Sequence, residues 1–240
     1  MLSKKRYLCW AATQWFSGSV REMKHKVIFL DVDGVLVDSE RVFNVCWRKA
    51  AESEGYSMTY EQALQLRSLD AGLAKDLFRR WYGNDNAYPA IRTARKLIMS
   101  ENVAKEPLFA KPGVLEFLGK AKNLPVKVAI VTSSPISRIT TYLASVGIDI
   151  SLFDSVITTE QVKRGKPFPD VYLHACETTG FKPDECIAVE DSPNGVKSAH
   201  DAGCYTVMVP DLTPCDETIK AFVDKECEAI MDILNSSLPA

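Results

Sequence analysis

The sequence lacks the features that mark membrane, nucleic-acid-binding and disulfide-stabilised proteins. None of its apolar runs approaches the length of a transmembrane helix. The net charge of −2 provides no basic field that would attract nucleic acid or an anionic membrane. The seven cysteines are scattered, odd in number and without C-x-x-C spacing, which favours reduced thiols in a cytosol over a disulfide framework. We therefore expect a cytoplasmic protein, a monomer or small homo-oligomer, with neither a nucleic-acid nor a membrane partner.

Residues 1–22 differ in composition from the chain that follows. The segment begins with a basic stretch, and its short apolar run from Leu8 to Ala12 is interrupted by Thr13 and Gln14. A secretory signal peptide needs a longer apolar core than this. We expect either an extension without fixed structure or a segment that lies upstream of a translation start at Met23.

An apolar run, Val27 to Leu30, leads directly into the acidic pair Asp31 and Asp33. The run has the length and composition of a strand that is buried on both faces of a parallel sheet. Open α/β sheets bind their ligands at the carboxyl ends of such strands. Residues i and i+2 of an extended chain point to the same side, so the two carboxylates can face one pocket. Such a pair can supply a nucleophile and an acid–base group, or hold a hard cation such as Mg²⁺.

The acidic pair also has two simpler interpretations. Aspartates after a strand can serve only to stabilise a turn, and the segment alone does not exclude this. A calcium loop of the D-x-D-x-D-G type fits poorly, because Gly34 comes too early and Val35 and Val37 stand where oxygen ligands are needed.

Two later segments carry side chains suited to binding an anion. Thr132 ends an apolar run, where its hydroxyl and the N–H groups of the next helix could bind phosphate, although such hydroxyls often only cap the helix. Lys166 precedes a predicted helix, where a cation opposes the helix dipole. A bound anion would explain Lys166 better than helix stability does; the alternative is a solvated lysine in a proline-rich turn.

A second acidic pair, Glu190 and Asp191, follows the apolar run Ile187 to Val189 and precedes another predicted helix. The order of apolar strand, acidic pair and helix is similar to that around Asp31. The alternative is that Asp191 or Ser192 only caps the helix.

The spacing of apolar residues predicts an α/β protein with a helical insert. From Arg41 to about Glu106 the spacing is helical, without strand-like alternation, and the last helix of this region is predicted from Ala90 to Met99. Further along, strands alternate with helices, which is typical of a doubly wound, parallel, Rossmann-like sheet. The C-terminal stretch to Leu234 is predicted to be mostly helical. We expect an α/β core domain, residues 23–39 and 110–240, with an inserted small α-helical cap domain, residues 40–109.

Together these segments resemble the four sequence motifs of the haloacid dehalogenase-like hydrolases. The matching residues, in family order, are Asp31-Val32-Asp33-Gly34, Thr132, Gly165-Lys166-Pro167 and Glu190-Asp191. The resemblance covers about residues 24–235. The helical insert between the first two motifs is similar to that of the helical-cap subgroup, which includes sugar-phosphate phosphatases and β-phosphoglucomutase.

The resemblance implies roles in phosphoryl transfer. Asp31 would attack phosphorus and form an aspartyl phosphate, and Asp33 would protonate the leaving oxygen and then activate water. Mg²⁺ would be held by Asp31, the backbone carbonyl of Asp33 and Asp191, with Glu190 holding the metal or its water. Lys166 and Thr132 would stabilise the phosphoryl oxygens. The residues implied to contact phosphate or substrate are Val32, Thr132, Ser133, Lys166 and Arg67.

The implied function is hydrolysis of a small phosphorylated metabolite, best matched to a sugar phosphate. A phosphomutase shares the same core residues, and a non-catalytic phosphate-binding protein is the third possibility. In β-phosphoglucomutase a histidine lies on the first cap helix and a Lys-Gly pair in the specificity loop; the corresponding positions here are Phe43 and Arg67-Ser68. Phe43 cannot transfer a proton, which favours hydrolysis. Arg67 could reach the substrate, and the alternative for it is a solvated arginine on a helix.

Overall fold

The computed structural model describes residues 24–105 and 107–235. At its centre is a six-stranded parallel sheet with strand order β3-β2-β1-β4-β5-β6. The strands are β1 (Val27–Leu30), β2 (Lys127–Thr132), β3 (Ser155–Thr158), β4 (Cys186–Glu190), β5 (Tyr205–Met208) and β6 (Lys225–Glu226). The strand that precedes the first acidic pair, β1, lies in the middle of the sheet between β2 and β4. The predicted extension, residues 1–22, lies outside the described residues.

Helices connect the strands and also form the insert. They are α1 (Glu40–Ser53), α2 (Tyr60–Gln65), α3 (Ala71–Tyr82), α4 (Ala87–Lys105), α5 (Val114–Ala121), α6 (Ile136–Ser145), α7 (Asp170–Thr179), α8 (Pro193–Ala202), α9 (Glu217–Lys220) and α10 (Asp232–Asn235). Within the described ranges, no helix is both long and apolar enough to cross a membrane.

Both faces of the sheet are covered, as the apolar sequence of β1 requires. Side chains of a strand alternate between the two faces. Ile28 and Leu30 pack into one apolar cluster with side chains of α5 and α6, whereas Val27 and Phe29 pack into another with side chains of α7 and α8. The predicted doubly wound, Rossmann-like class is confirmed.

The insert leaves and re-enters the core at adjacent positions. Val37 pairs antiparallel with Ala110, and the Asp38 N–H donates to the Phe109 carbonyl over 2.9 Å. Between these points, α1 to α4 (the cap helices) enclose an apolar cluster of their own around the fully buried Phe78. We propose on this basis that the cap helices form a domain separate from the sheet.

Two elements differ from the sequence prediction. Helix α4, predicted from Ala90 to Met99, is longer at both ends; Pro89 lies in its first turn, where proline leaves no helical hydrogen bond unmade. The prediction of a mostly helical C-terminal stretch is wrong, because the helices described there, α9 and α10, have four residues each and β6 between them pairs with β5. A strand of two charged residues gives no detectable apolar alternation.

Candidate active site

Three buried carboxylates meet at the carboxyl ends of the two central strands. Asp31 follows β1, Glu190 is the last residue of β4, and Asp191 comes next. One oxygen of each lies within 4.8 Å of the others. None of the three side chains is more than 1% exposed. The structure thus brings Asp31, of the first acidic pair, together with both residues of the second pair through parallel pairing of β1 with β4.

Lys166 compensates these carboxylates from the core side. Its Nζ lies 2.6 Å from Glu190 Oε1 and 3.2 Å from Asp31 Oδ1, and it donates to the Val131 carbonyl over 3.1 Å. Lys166 is completely buried, so the alternative of a solvated lysine is wrong. Burial alone would lower the pKa of Lys166, but the charges of Asp31 and Glu190 outweigh it and raise that pKa. The ammonium therefore stays charged at neutral pH.

Arg67 compensates the buried carboxylates from the side of the cap helices. Its guanidinium contacts the Asp191 carboxylate, donates to the Asp191 carbonyl over 3.0 Å, and lies 3.6 Å from Glu40. A further N–H donates to Thr213 Oγ1 over 2.8 Å. Only 5% of Arg67 is exposed, which excludes the alternative of a solvated arginine. Whether Arg67 contacts the substrate stays a prediction.

Four buried carboxylates share these two cations, and the pKa values of all four are raised. Burial, opposed by Lys166, raises the pKa of Glu190 to about 8. Burial, opposed by Arg67, raises the pKa of Asp191 to about 7. Burial also raises the pKa values of Asp31 and Glu40. An additional cation at this site would stabilise the ionised carboxylates.

The same cluster has the chemistry of a metal site. Its donors are all carboxylate oxygens, the ligands that hard divalent cations prefer. Glu190 Oε2 and Asp191 Oδ1 are buried without a hydrogen-bond partner among the described residues. A buried oxygen without a partner is unfavourable, and a bound cation would satisfy both. Asp31, Glu190 and Asp191 could therefore hold a divalent metal.

Asp33 is held differently from the three clustered carboxylates. Its two oxygens accept hydrogen bonds of 2.5 Å from the hydroxyls of Ser39 and Ser134. It lines a cavity of about 620 Å³ between the cap helices and the sheet. The charge of Asp33 contributes to the raised pKa of Asp31, so the two carboxylates interact, as the i, i+2 spacing predicts. The hydroxyls of Ser39 and Ser134 thus hold the Asp33 carboxylate on the side of the site that faces the cavity.

The other residues predicted to contact phosphate lie near Asp33. Thr132 Oγ1 is buried and accepts from the Ser134 N–H over 3.2 Å. Ser133 lines the cavity, and its hydroxyl donates to the Ser68 carbonyl over 3.4 Å. Val32 is fully buried, and its carbonyl accepts from the N–H groups of Leu36 and Val37. Their roles toward phosphate stay predictions.

Several residues that contact the site were not identified from the sequence. The Tyr172 hydroxyl donates to Glu190 Oε1 over 2.5 Å from α7. Glu40 and Ser39 belong to the same opening stretch as Asp31 and could have been suspected from that proximity. Tyr172 offered no signal beyond an apolar position on a helix, because its partner is brought near only by folding.

Two glycines leave room for the carboxylates. Gly34 has φ +83°, a left-handed conformation that disfavours a side chain, and a Cβ there would overlap the Asp191 carboxylate. A Cβ at Gly195, in the first turn of α8, would overlap the Glu190 carboxylate. Ser192, and not Asp191, caps this helix by accepting from the Gly195 N–H. Asp191 is thereby left to face the acidic cluster.

Known proteins of one family are similar to this chain in sequence and in fold. A model of the haloacid dehalogenase-like hydrolase family matches residues 25–203. The chain is 31% identical over 196 residues to hexitol phosphatase A from Escherichia coli, covering 80% of this chain and 87% of that protein. It is 29% identical over 184 residues to a phosphorylated carbohydrates phosphatase from Thermotoga maritima, covering 74% and 82%. A solved hydrolase from Pseudomonas syringae shares the fold, with a TM-score of 0.77, 22% identity, and coverage of 88% and 97%.

Replacing Gly195 by alanine should disturb the site, because the new methyl group meets a carboxylate that Lys166 and Tyr172 hold in place. Gly195→Ala is expected to lower the free energy of unfolding by about 1–3 kcal/mol, as overpacking does. Urea denaturation of the metal-free protein measures this.

Gly119→Ala in α5 is the matched control, since nothing lies within 4 Å of its added Cβ. It should be neutral or stabilise by up to about 1 kcal/mol. Equal effects of the two substitutions would contradict the proposed contact at Gly195.

Proposed function

The chain belongs to the haloacid dehalogenase-like hydrolases, and on that premise we propose that it is a Mg²⁺-dependent phosphatase of a small phosphorylated metabolite, with a sugar phosphate as the best-matched substrate. One observation carries the proposal: Asp31 lies beside a buried lysine and two further carboxylates, next to a cavity that Asp33 lines. A nucleophile, an acid–base group and cationic compensation are then available within one site.

Asp31 is the proposed nucleophile. Its carboxylate would attack phosphorus, form an aspartyl phosphate and release the alcohol. Lys166, 3.2 Å from Asp31 Oδ1, would offset charge on the phosphoryl oxygens as they approach. Thr132, Ser133 and the backbone of Val32 are proposed to contact the same oxygens. Because Lys166 is fully buried and hydrogen-bonded, it would need little reorganisation during the reaction.

Asp33 is the proposed acid and base. It would protonate the leaving oxygen, then take a proton from the water that hydrolyses the aspartyl phosphate. Ser39 and Ser134 support this role, since their hydroxyls fix both oxygens of the carboxylate. The position of Asp33 on the cavity wall is where a leaving group would lie.

Mg²⁺ is the proposed metal, with Asp31, Glu190, Asp191 and the backbone carbonyl of Asp33 as its protein ligands. The oxygen-only donor set and the two oxygens without partners support a hard cation. When bound, the ion would neutralise charge on the phosphoryl group.

The cavity and the relatives support a small substrate. A volume of about 620 Å³ suits a metabolite rather than a macromolecule. Two curated relatives are named for phosphorylated hexitols or carbohydrates. Arg67 reaches the site from the cap and lines the cavity, which supports the proposal that it also contacts the substrate.

Hydrolysis is proposed in preference to phosphoryl transfer between sugar positions. A mutase must keep water from its phosphoenzyme and couple proton transfer to the bound sugar. Phe43, at the position of the mutase histidine, lines the cavity and cannot donate a proton. The mutase remains the alternative, because it would use the same residues around Asp31.

Asp31→Asn should abolish turnover. The substitution keeps the shape of the side chain but removes the nucleophilic charge, so phosphate release from para-nitrophenyl phosphate should fall by about three orders of magnitude or more. Asp76→Asn, an exposed carboxylate of α3, is the control and should keep wild-type activity. Near-normal turnover by a clean Asp31→Asn preparation would remove Asp31 from this role.

Metal binding should depend on pH. The pKa values of Asp191 and Glu190 are raised from their ordinary values of 3.8 and 4.5 to about 7 and about 8, so the protonated carboxyls stabilise the metal-free fold at low pH. This stability is lost as pH rises from those ordinary values to the raised ones. Mg²⁺ requires those protons to leave, so its apparent affinity should increase by about tenfold or more between pH 6 and pH 8.5.

Thermal denaturation with EDTA or Mg²⁺ at both pH values measures this. The increase in Tm caused by Mg²⁺ should be larger at pH 8.5, and Asp191→Asn should remove most of it. The same increase at both pH values would count against the assigned ligands, as would full activity after exhaustive chelation.

Hydrolysis and mutase activity can be separated directly. The protein is incubated with β-glucose 1-phosphate, Mg²⁺ and a trace of the 1,6-bisphosphate. Inorganic phosphate should accumulate with little glucose 6-phosphate, because water is the expected acceptor. Rapid formation of glucose 6-phosphate without phosphate release would favour the mutase.

A further inference from the structure

Four cations gather at one part of the cavity wall. Arg92, Arg95 and Lys96 lie at positions i, i+3 and i+4 of α4, which places them on one side of that helix. Arg138 of α6 faces the same cavity from the core. This group, here called the distal cations, comes from both the cap and the core and is separate from Lys166 and Arg67.

The distal cations have no carboxylate partner among the described residues. The cavity is also lined by four carboxylates, and each of them is engaged with other groups. Asp33 accepts from Ser39 and Ser134, Glu40 faces Arg67, Asp70 accepts from Gly72 and Gly165, and Glu160 accepts from the Ile136 N–H. None of the four distal cations therefore forms a salt bridge with a carboxylate that lines this cavity, within the described part of the chain.

The lack of hydrogen-bond acceptors for the distal cations is most evident at Arg95. It is only 6% exposed, and its Nε has no hydrogen-bond partner within the described part of the chain. Its guanidinium lies over the rings of Trp47 and Phe43, at 4.8 and 5.2 Å from their centroids. Burial, together with the charges of Arg138 and Arg92, lowers the pKa of Arg95 to about 10. Aromatic stacking orients the guanidinium but supplies no acceptor for its N–H groups.

The distal cations are connected to the acid–base group. Arg138 donates to Ser134 Oγ over 3.1 Å, and Ser134 in turn donates to Asp33 over 2.5 Å. An anion bound by Arg138 would therefore lie in the same cavity as the leaving group that Asp33 is proposed to protonate.

We propose that the distal cations bind a second anionic group of the substrate, remote from the phosphoryl group that is removed. This inference rests on the proposed function and narrows its substrate class to metabolites with two anionic groups. A phosphate fits four cations better than a carboxylate does, because it carries more charge and more acceptor oxygens. A small bisphosphorylated metabolite is therefore the favoured substrate.

The test compares a hexose monophosphate with the bisphosphate of the same hexose, and with a phosphorylated hydroxy acid. Wild-type kcat/KM should be at least about tenfold higher for the bisphosphate than for the monophosphate. Arg92→Gln/Lys96→Gln, two exposed positions that should not affect folding, should remove most of that preference, mainly through KM. Lys75→Gln/Arg80→Gln, which removes an exposed lysine and an exposed arginine of α3 outside this cavity, is the matched control and should keep the preference.

Binding is measured separately by calorimetry with Asp31→Asn, which should not turn over. The bisphosphate should bind at least about tenfold more weakly when Arg92→Gln/Lys96→Gln is added. A preference for the phosphorylated hydroxy acid would identify a carboxylate as the second anion.

Equal kcat/KM for monophosphate and bisphosphate, with phosphate released from both, would overturn this inference and leave the proposed function intact. Selective binding of the bisphosphate without hydrolysis of any substrate would overturn the proposed function and leave this inference intact. Loss of the preference in Lys75→Gln/Arg80→Gln as well would attribute the preference to net charge and also overturn the inference.

Discussion

The site depends on the compensation of buried carboxylates by two buried cations. Asp31, Glu190 and Asp191 meet where β1 and β4 end, and water cannot stabilise their charges there. Lys166 faces two of them from the core, and Arg67 faces the third from the cap. Removing one partner of a buried ion pair leaves an uncompensated charge, which is strongly unfavourable. The geometry of this acidic cluster is therefore set by the same contacts that make its burial tolerable.

Contacts made by the same segments also join the cap helices to the core. Arg67 reaches Asp191, while the Asp70 N–H donates to the Lys166 carbonyl over 2.7 Å and the Asp70 carboxylate accepts from the Gly165 N–H. One short cap segment thus touches the segments that carry both Lys166 and Asp191. The cavity lies beside this junction, and Arg67 and Asp70 of that cap segment line it.

The cavity between cap and core is electrostatically uneven. Asp33 marks the part near the acidic cluster, and the distal cations mark another part of its wall. The ring of Phe43, at the position of the mutase histidine, contacts two of the distal cations, Arg95 and Arg138. If the proposed function and substrate class hold, a substitution of Phe43 should affect both the reaction and the choice of substrate.

The sequence by itself determined the α/β class, the helical insert and the acidic pairs at the strand ends. These features are local: an apolar run such as Val27 to Leu30 and the carboxylates that follow it are read from neighbouring residues. Only the tertiary structure decided that Arg67 pairs with Asp191, 124 residues away, and that Tyr172 donates to Glu190. Such partners are selected by the packing of helices on the sheet and of cap on core, and no local pattern of residues encodes that packing.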